Sequence, residues 1–106
     1  LFGLLLESGN DCAEAIAEHI SGSNEEFAKL MNKKAIELGA INTNFKNPSG
    51  LTEEGHLTTA HDLALIMRYA SQNTDFVRIS QTPSHFYENH PFSDGSEKWA
   101  TIIIIY

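Results

Sequence analysis

The feature that most constrains this chain is an apolar run that ends in a short polar turn and leads directly into a helical pattern. Residues 4–6 are all leucine, Ser8, Gly9 and Asn10 form the turn, and an apolar helical stripe begins at Ala13. Glycine lets the backbone pass close to its surroundings, so the residues on either side can both project outward. The pattern predicts two helices that meet at Ser8-Gly9-Asn10 with almost no linker.

Apolar residues recur at the spacing of one helix face in three later stretches. Ser23 and Thr59 each precede an acidic residue by three positions, as in a capping box, and Gly39 is placed to end a helix. The predicted buried faces are Ala13, Ile16, Ala17 and Ile20; Phe27, Leu30, Met31, Ala35 and Leu38; and Ala60, Leu63, Ala64, Met67 and Ala70. The other expected caps are Asn10 or Asp11, and Thr74 for a short helix through Ile79.

The rest of the chain is less regular. Residues 40–58 contain a Pro-Ser-Gly turn and form a long loop, which in a compact domain is often functional. Residues 81–106 suit a hairpin-like or extended tail, with a turn at Asp94-Gly95 and a β-prone run from Trp99 to Tyr106. The expected fold is therefore mostly α with a short β or extended C-terminal part, divided into a helical region 1–80 and a tail 81–106.

Composition limits the partners. Fourteen acidic residues against seven basic ones give a net charge of −7, which argues against nucleic acid or an anionic membrane surface as the main partner. The single cysteine, Cys12, excludes an internal disulfide and is interpreted as buried. No secretion signal is visible, and residues 1–6 and 102–105 are too short to span a bilayer. Because the chain starts without Met and ends on an apolar run, both ends are interpreted as cuts inside a longer protein.

No pattern in the chain completes a catalytic or metal site. His56 and His61 do not share a helix face, and the His85, Glu88 and His90 group lies in an irregular stretch, so no metal is expected. The sequence contains no Ser-x-x-Lys, Lys-Thr-Gly or Lys-Ser-Gly. Ser-x-Asn occurs twice, and the second copy, residues 71–73, stands at a predicted helix end and is interpreted as structural.

Four landmarks are collinear across residues 1–80. Residues 3–13 hold the Ser-Gly-Asn turn and residues 27–39 a helical pattern that ends at glycine. Residues 42–51 read Asn-Thr-x-Phe-x-Asn-Pro-x-Gly-Leu, and residues 56–64 read His-x-x-Thr-Ala-x-Asp-Leu-Ala. In this order they resemble the Ser-x-Asn region, the next helix, a loop and a helix start of the serine D-alanyl-D-alanine carboxypeptidases, the low-molecular-mass penicillin-binding proteins. In combination these landmarks are far more specific than the tripeptide alone.

The resemblance implies the helical subdomain of a β-lactamase/transpeptidase-like α+β fold, with the active site where it meets a sheet subdomain. It implies an enzyme that removes the terminal D-Ala from peptidoglycan stem peptides through an acyl-serine intermediate, and whose serine is acylated by β-lactams. On that basis Ser8 is expected to relay a proton, Asn10 to bind and orient the substrate, and Gly9 to let the turn approach the cleft. His56, Thr59 and Asp62 are expected to hold the loop and helix start in place.

The resemblance also sets limits. The family's Ser-x-x-Lys and Lys-Thr-Gly motifs are absent here, so the 106 residues alone are expected to be inactive, and residues 102–106 depart from the family pattern. No cofactor is implied. The isolated piece is expected to expose an apolar face for the sheet subdomain, which would also permit self-association, and export to the outer face of the cytoplasmic membrane is implied by the family only.

Two alternatives stay open at this point. A serine β-lactamase fragment would need a deacylating glutamate, which the loop at residues 47–51 does not suggest. A non-catalytic helical module that binds cell-wall material or a protein would need no nucleophile.

Overall fold

The protein is mostly helical, as expected, in a computed structural model that describes residues 1–86 and 99–101. None of the helices in these ranges is both long and apolar enough to cross a membrane. The elements are α1 (Phe2–Glu7), α2 (Asn10–Ser21), α3 (Asn24–Glu37), α4 (Ala60–Ala70), α5 (Thr74–Ser80), β1 (Ser84–Phe86) and β2 (Trp99–Thr101).

The first helix lies at the centre of the packing. It contacts α2, α5 and β2, and its Leu6 forms a small buried cluster with Ile79 of α5, against which Phe2 and Leu5 also pack. The Arg78 guanidinium lies 5.7 Å from the centre of the Phe2 ring, a favourable contact between a cation and an aromatic face. The apolar run at the start of the chain thus forms a helix, as the sequence predicts, and this helix contributes Leu6 to the core.

Helices α2 and α3 form a helical hairpin whose buried positions are alanines. Ala13 and Ala17 are buried on α2, and Ala28 and Ala35 on α3, and the two helices contact each other. Gly22, at a φ of 82°, ends α2.

The predicted glycine cap of α3 is confirmed. Gly39 has a φ of 84°, its N–H donates to the Ile36 carbonyl at 3.0 Å, and the Ala40 N–H donates to the Ala35 carbonyl at 2.8 Å. This is the Schellman pattern, which a left-handed residue makes possible. It satisfies two carbonyls that the end of the helix would otherwise leave free.

Ser23 and Thr59 cap α3 and α4 as predicted, but neither capping box is completed. Ser23 Oγ accepts from the Glu26 N–H at 3.1 Å, and Thr59 Oγ1 accepts from the Asp62 N–H at 3.1 Å. The return bonds are not made because the acidic side chains have other partners: Glu26 pairs with Lys29 at 2.6 Å, and Asp62 bonds to the preceding loop.

Two other cap predictions need correction. Asn73, not Thr74, caps α5: its Oδ1 accepts from the Phe76 N–H at 3.0 Å, and asparagine is among the best residues at that position. Gly9 is the N-cap of α2 and no side chain caps it, although Asp11 Oδ1 accepts from the Cys12 N–H at 2.9 Å.

The predicted buried face of α4 is wrong in this structure. Leu63 is 49% exposed and Met67 54%, and Ala60 and Ala64 are exposed as well. The buried residue of α4 is Asp62, at 1% exposure. Helical spacing indicates that a face is apolar, but it does not indicate what covers that face. No described residue covers this face of α4. Leu30 of α3 and Ile20 of α2, which were also predicted to be buried, are exposed as well.

The two short strands pair antiparallel, with His85 opposite Ala100 and Phe86 opposite Trp99. Both fall in the region predicted to be extended. The predicted turn at Asp94-Gly95, the Glu88 and His90 pair and residues 102–106 lie outside the described ranges.

Candidate functional site

The junction of α1 and α2 holds Ser8 in an unusual backbone conformation. Ser8 ends α1 with φ 55° and ψ 40°, and among the described residues it is the one non-glycine residue with positive φ. The N–H groups of Ser8 and Gly9 both donate to the Gly3 carbonyl, the latter at 3.1 Å. A non-glycine residue in the left-handed region is disfavoured unless the surroundings fix it, and such residues cluster at functional sites.

Position 9 requires a glycine because of close packing and not because of its backbone conformation, since its φ is −68°. A Cβ built on it would lie 3.0 Å from Cys12 Sγ and 3.1 Å from the Gly3 carbonyl oxygen. A Cβ on Gly3 would lie 2.9 Å from the same sulfur. The thiol is half-buried, rather than fully buried as predicted, and it fills the space that both glycines leave free.

The two copies of Ser-x-Asn differ in how their side chains are used. Ser71 Oγ donates to the Met67 carbonyl at 2.8 Å, and Asn73 caps α5. Ser8 and Asn10 are exposed, and neither side chain hydrogen-bonds to another described residue. The second copy is therefore structural, as predicted, whereas the first brings Ser8, Gly9 and Asn10 together in one turn with its polar side chains free to meet a ligand.

The loop 40–58 is ordered by its own side chains. Asn44 and Leu57 form an isolated antiparallel bridge. Asn47 donates to the Leu51 carbonyl and to Glu53 Oε2, each at 3.0 Å, and its Oδ1 accepts from the Gly50 N–H at 2.8 Å. One asparagine thus sets the Pro-Ser-Gly turn, in the manner typical of Asn in turns.

One side chain of α3 ties this loop to the helices, and His56 holds the loop to itself. The Asn32 side chain of α3 pairs with both backbone groups of Phe45: Oδ1 accepts from its N–H at 2.6 Å and Nδ2 donates to its carbonyl at 3.0 Å. His56 Nδ1 accepts from the Lys46 N–H at 3.0 Å. Its ring meets the Phe45 ring edge-on, with centres 5.9 Å apart.

Asp62 is the buried ionisable group of the described region. Its Oδ2 accepts from Thr43 Oγ1 at 2.7 Å and from the Asn42 N–H at 2.8 Å. The Thr43 hydroxyl is the main cause that lowers the pKa of Asp62; burial partly opposes it, and the Asn42 N–H adds to it. His56, Thr59 and Asp62 therefore hold the loop and helix start, as predicted. Within residues 1–86 and 99–101, no group of three or more His, Cys, Asp or Glu is placed to hold a metal ion.

A comparison with protein families decides the family. Residues 1–98 match the profile described as D-alanyl-D-alanine carboxypeptidase. The chain belongs to the D-alanyl-D-alanine carboxypeptidase family. The family resemblance read from the sequence is thereby confirmed, and the match extends beyond the residues on which it was based.

Relatives and solved structures agree with this membership. The D-alanyl-D-alanine carboxypeptidase DacF of Bacillus subtilis is 60% identical over 99 residues, which is 93% of this chain and 24% of DacF. DacB2 of Mycobacterium tuberculosis is 45% identical over 100 residues, 92% of this chain and 33% of DacB2. The chain thus spans between about a quarter and a third of these carboxypeptidases.

Two crystal structures share the fold of the chain. That of a D-alanyl-D-alanine carboxypeptidase from Mycobacterium tuberculosis has a TM-score of 0.78 and 40% identity, covering 95% of this chain and 37% of that one. Penicillin-binding protein 6B from Escherichia coli has a TM-score of 0.79 and 28% identity, covering 93% and 30%. The arrangement of helices described above is therefore the one that the corresponding segments of this carboxypeptidase family adopt.

The sequence patterns did not indicate that Gly3 and Cys12 pack beneath the Ser8-Gly9-Asn10 turn, or that Asn32 holds the loop 40–58. An available signal was Gly3 itself, because an isolated glycine inside a helical pattern often has a packing reason. Asn32 gave no such signal, since its partner lies 13 residues away in the chain.

Proposed function

We propose that this chain is the Ser-x-Asn segment of a serine D-Ala-D-Ala carboxypeptidase and that Ser8, Gly9 and Asn10 belong to its active site. The observation that carries the proposal is the contrast between two copies of one tripeptide in a member of this family. The side chains of one copy serve helix ends, whereas Ser8 and Asn10 are exposed on a turn whose backbone is fixed. Polar groups held in place before a substrate arrives are suited to orient it.

In the proposed reaction, the nucleophilic serine and its lysine come from outside this sequence, which holds no Ser-x-x-Lys. That serine attacks the carbonyl carbon of the penultimate D-Ala, and the C–N bond to the terminal D-Ala breaks. Ser8 passes a proton to the leaving amine. Water then hydrolyses the acyl ester and regenerates the serine.

Asn10 supplies the recognition of the substrate in this scheme. Its amide carries both an acceptor oxygen and N–H donors, so it can match a peptide group of the substrate. Gly9 keeps the turn narrow, because any side chain there would meet the Gly3 carbonyl. β-Lactams, which carry a reactive amide in place of the D-Ala-D-Ala bond, acylate the same serine.

The rest of the enzyme has a place in the proposal. Residues 1–80 are the helical subdomain of a β-lactamase/transpeptidase-like α+β fold, and residues 81–106 follow it in the sequence. Leu63 and Met67, exposed on α4, meet other parts of the enzyme, including its sheet subdomain; in the isolated chain they permit self-association. The substrate, a peptidoglycan stem peptide, places the enzyme at the outer face of the cytoplasmic membrane. No cofactor takes part in the scheme.

The test is a chimera in which residues 1–98 replace the matching segment of Bacillus subtilis DacF. The intact mass after exposure to penicillin reports acylation. Ser8→Ala should slow acylation by roughly 100-fold or more, in the range of general acid–base contributions. Ser71→Ala, in the other copy, is the matched control and should leave the rate unchanged.

Two results would refute the proposal. One is a folded chimera that penicillin does not acylate, which would favour a non-catalytic binding module. The other is a Ser8→Ala variant acylated as fast as the Ser71→Ala control.

A further inference from the structure

We infer that Gly3 is a positioning residue for the Ser8-Gly9-Asn10 turn, acting through its carbonyl oxygen and through its lack of a side chain. The inference rests on the proposed function of that turn. Gly3 lies in α1, outside the tripeptide, and the space around it is shared with Cys12 of α2.

The carbonyl of Gly3 is the shared acceptor of the turn. The N–H groups of Ser8 and Gly9 both donate to it. These bonds close the end of α1 around Ser8, whose left-handed conformation is otherwise disfavoured. A small movement of the Gly3 carbonyl would therefore release both residues and change how Ser8 is presented.

The missing side chain of Gly3 is explained by space rather than by backbone conformation. Gly3 lies inside α1, where alanine is intrinsically the better residue, and it is not among the glycines with positive φ. A Cβ there would lie 2.9 Å from Cys12 Sγ, closer than such atoms approach. The thiol on α2 thus occupies the volume that glycine leaves on α1.

The carbonyl of Gly3 and its missing side chain act together, because both lie where α1 contacts α2. A methyl group at Gly3 forces α1 and Cys12 apart, and it shifts the carbonyl that holds Ser8 and Gly9. Because Ser8 follows α1 and Asn10 begins α2, moving the two helices apart changes the distance between Ser8 and Asn10. Removing the sulfur from Cys12 makes room for the methyl group and should undo the effect.

The test is a double-mutant cycle in the DacF chimera, with penicillin acylation rate as the first readout. Gly3→Ala should slow acylation about 10-fold or more, since misplacement of about an ångström can cost about 100-fold and the contact requires a shift of part of that distance. Cys12→Ala should stay within about threefold of the parent, because both hydrogen bonds to the Gly3 carbonyl are made by backbone groups and need no sulfur. The double variant should return to within about threefold of Cys12→Ala.

Gly9→Ala is the discriminating control. A Cβ at Gly9 would meet the Gly3 carbonyl oxygen and Asp11 Oδ1, each at 3.1 Å, as well as Cys12 Sγ. Because two of these neighbours remain when the sulfur is removed, Cys12→Ala should not restore the rate of Gly9→Ala. Rescue of Gly3→Ala alone would identify the Gly3–Cys12 contact as the cause.

Amide hydrogen exchange of the segment that contains Ser8 and Gly9 is the second readout and does not depend on activity. It should speed up in Gly3→Ala and return to the parent rate in the double variant. Normal exchange and normal acylation in Gly3→Ala would overturn the inference, as would a double variant no better than Gly3→Ala. If the parent chimera is not acylated, the proposed function fails, while the exchange cycle still decides whether Gly3 positions the turn.

Discussion

Replacing Asn32 by alanine should remove the hydrogen bonds between α3 and the loop 40–58 and destabilise the chain by about 1.5–3 kcal/mol. The side chain makes two hydrogen bonds to the backbone of half-buried Phe45, at 2.6 and 3.0 Å. Two such bonds contribute about 1 kcal/mol each, and unpaired backbone groups left behind raise the loss further. Alanine returns about 0.6 kcal/mol because it is the better helix residue.

Urea unfolding of the chain, followed by circular dichroism, measures this difference. The midpoint should fall with an unchanged slope, since the surface exposed on unfolding stays the same. Lys33→Ala is the matched control: it changes an exposed neighbour on the same helix and should stay within about 0.5 kcal/mol of the parent.

A second substitution separates the two bonds. Asn32→Asp keeps an acceptor for the Phe45 N–H but places an oxygen against the Phe45 carbonyl and against Asn44 Oδ1, which lies 3.4 Å from the present Nδ2. It should therefore lose at least as much stability as Asn32→Ala at neutral pH. If Asn32→Ala unfolds at the same midpoint as Lys33→Ala, the pairing contributes nothing and the reasoning is wrong.

Three further predictions concern the cap, the buried carboxylate and the chain by itself. Gly39→Ala should lower the free energy of unfolding by about 1 kcal/mol, because alanine disfavours the left-handed φ of 84° at this position. The new Cβ would meet only Leu65, at 3.9 Å, so no steric clash adds to this loss. A urea midpoint equal to that of the parent would contradict this prediction. Since the pKa of Asp62 is lowered in the folded chain, its contribution is complete above the ordinary value of 3.8 and is lost as pH falls through the folded pKa. Urea midpoints of Asp62→Asn should accordingly change less than those of the parent between pH 6 and pH 3, and equal changes would exclude this role. The 106 residues alone should form no penicilloyl adduct, because they hold no Ser-x-x-Lys; an adduct in the intact mass would overturn that expectation.

Local signals were the part of the fold that the sequence predicted well. Ser23, Thr59 and Gly39 act within one turn of their partners, so spacing alone reveals them. In neither capping box does the acidic side chain bond back to the N–H of the cap residue, because Glu26 pairs with Lys29 and Asp62 bonds to Thr43. Thr43 lies 19 residues from Asp62, and no periodicity connects positions that far apart.

The exposed face of α4 marks a different limit. Leu63 and Met67 satisfy the helical spacing of a buried face, yet both are about half exposed. A hydrophobic stripe indicates that some surface will cover it, and it does not say whether that surface belongs to the same stretch of chain. The tripeptide was likewise ambiguous until the hydrogen bonds of Ser71 and Asn73 separated its two copies.

The bonding of the loop 40–58 has a consequence for how the chain can change length. Surface loops usually accept insertions and deletions. Here Asn44 must reach Leu57, Asn47 must reach Gly50 and Glu53, and the Lys46 N–H must reach His56. One added residue inside these spans would put several partners out of register at once. Length variation among functional relatives should therefore avoid this loop and fall where backbone and side chains are not matched one to one.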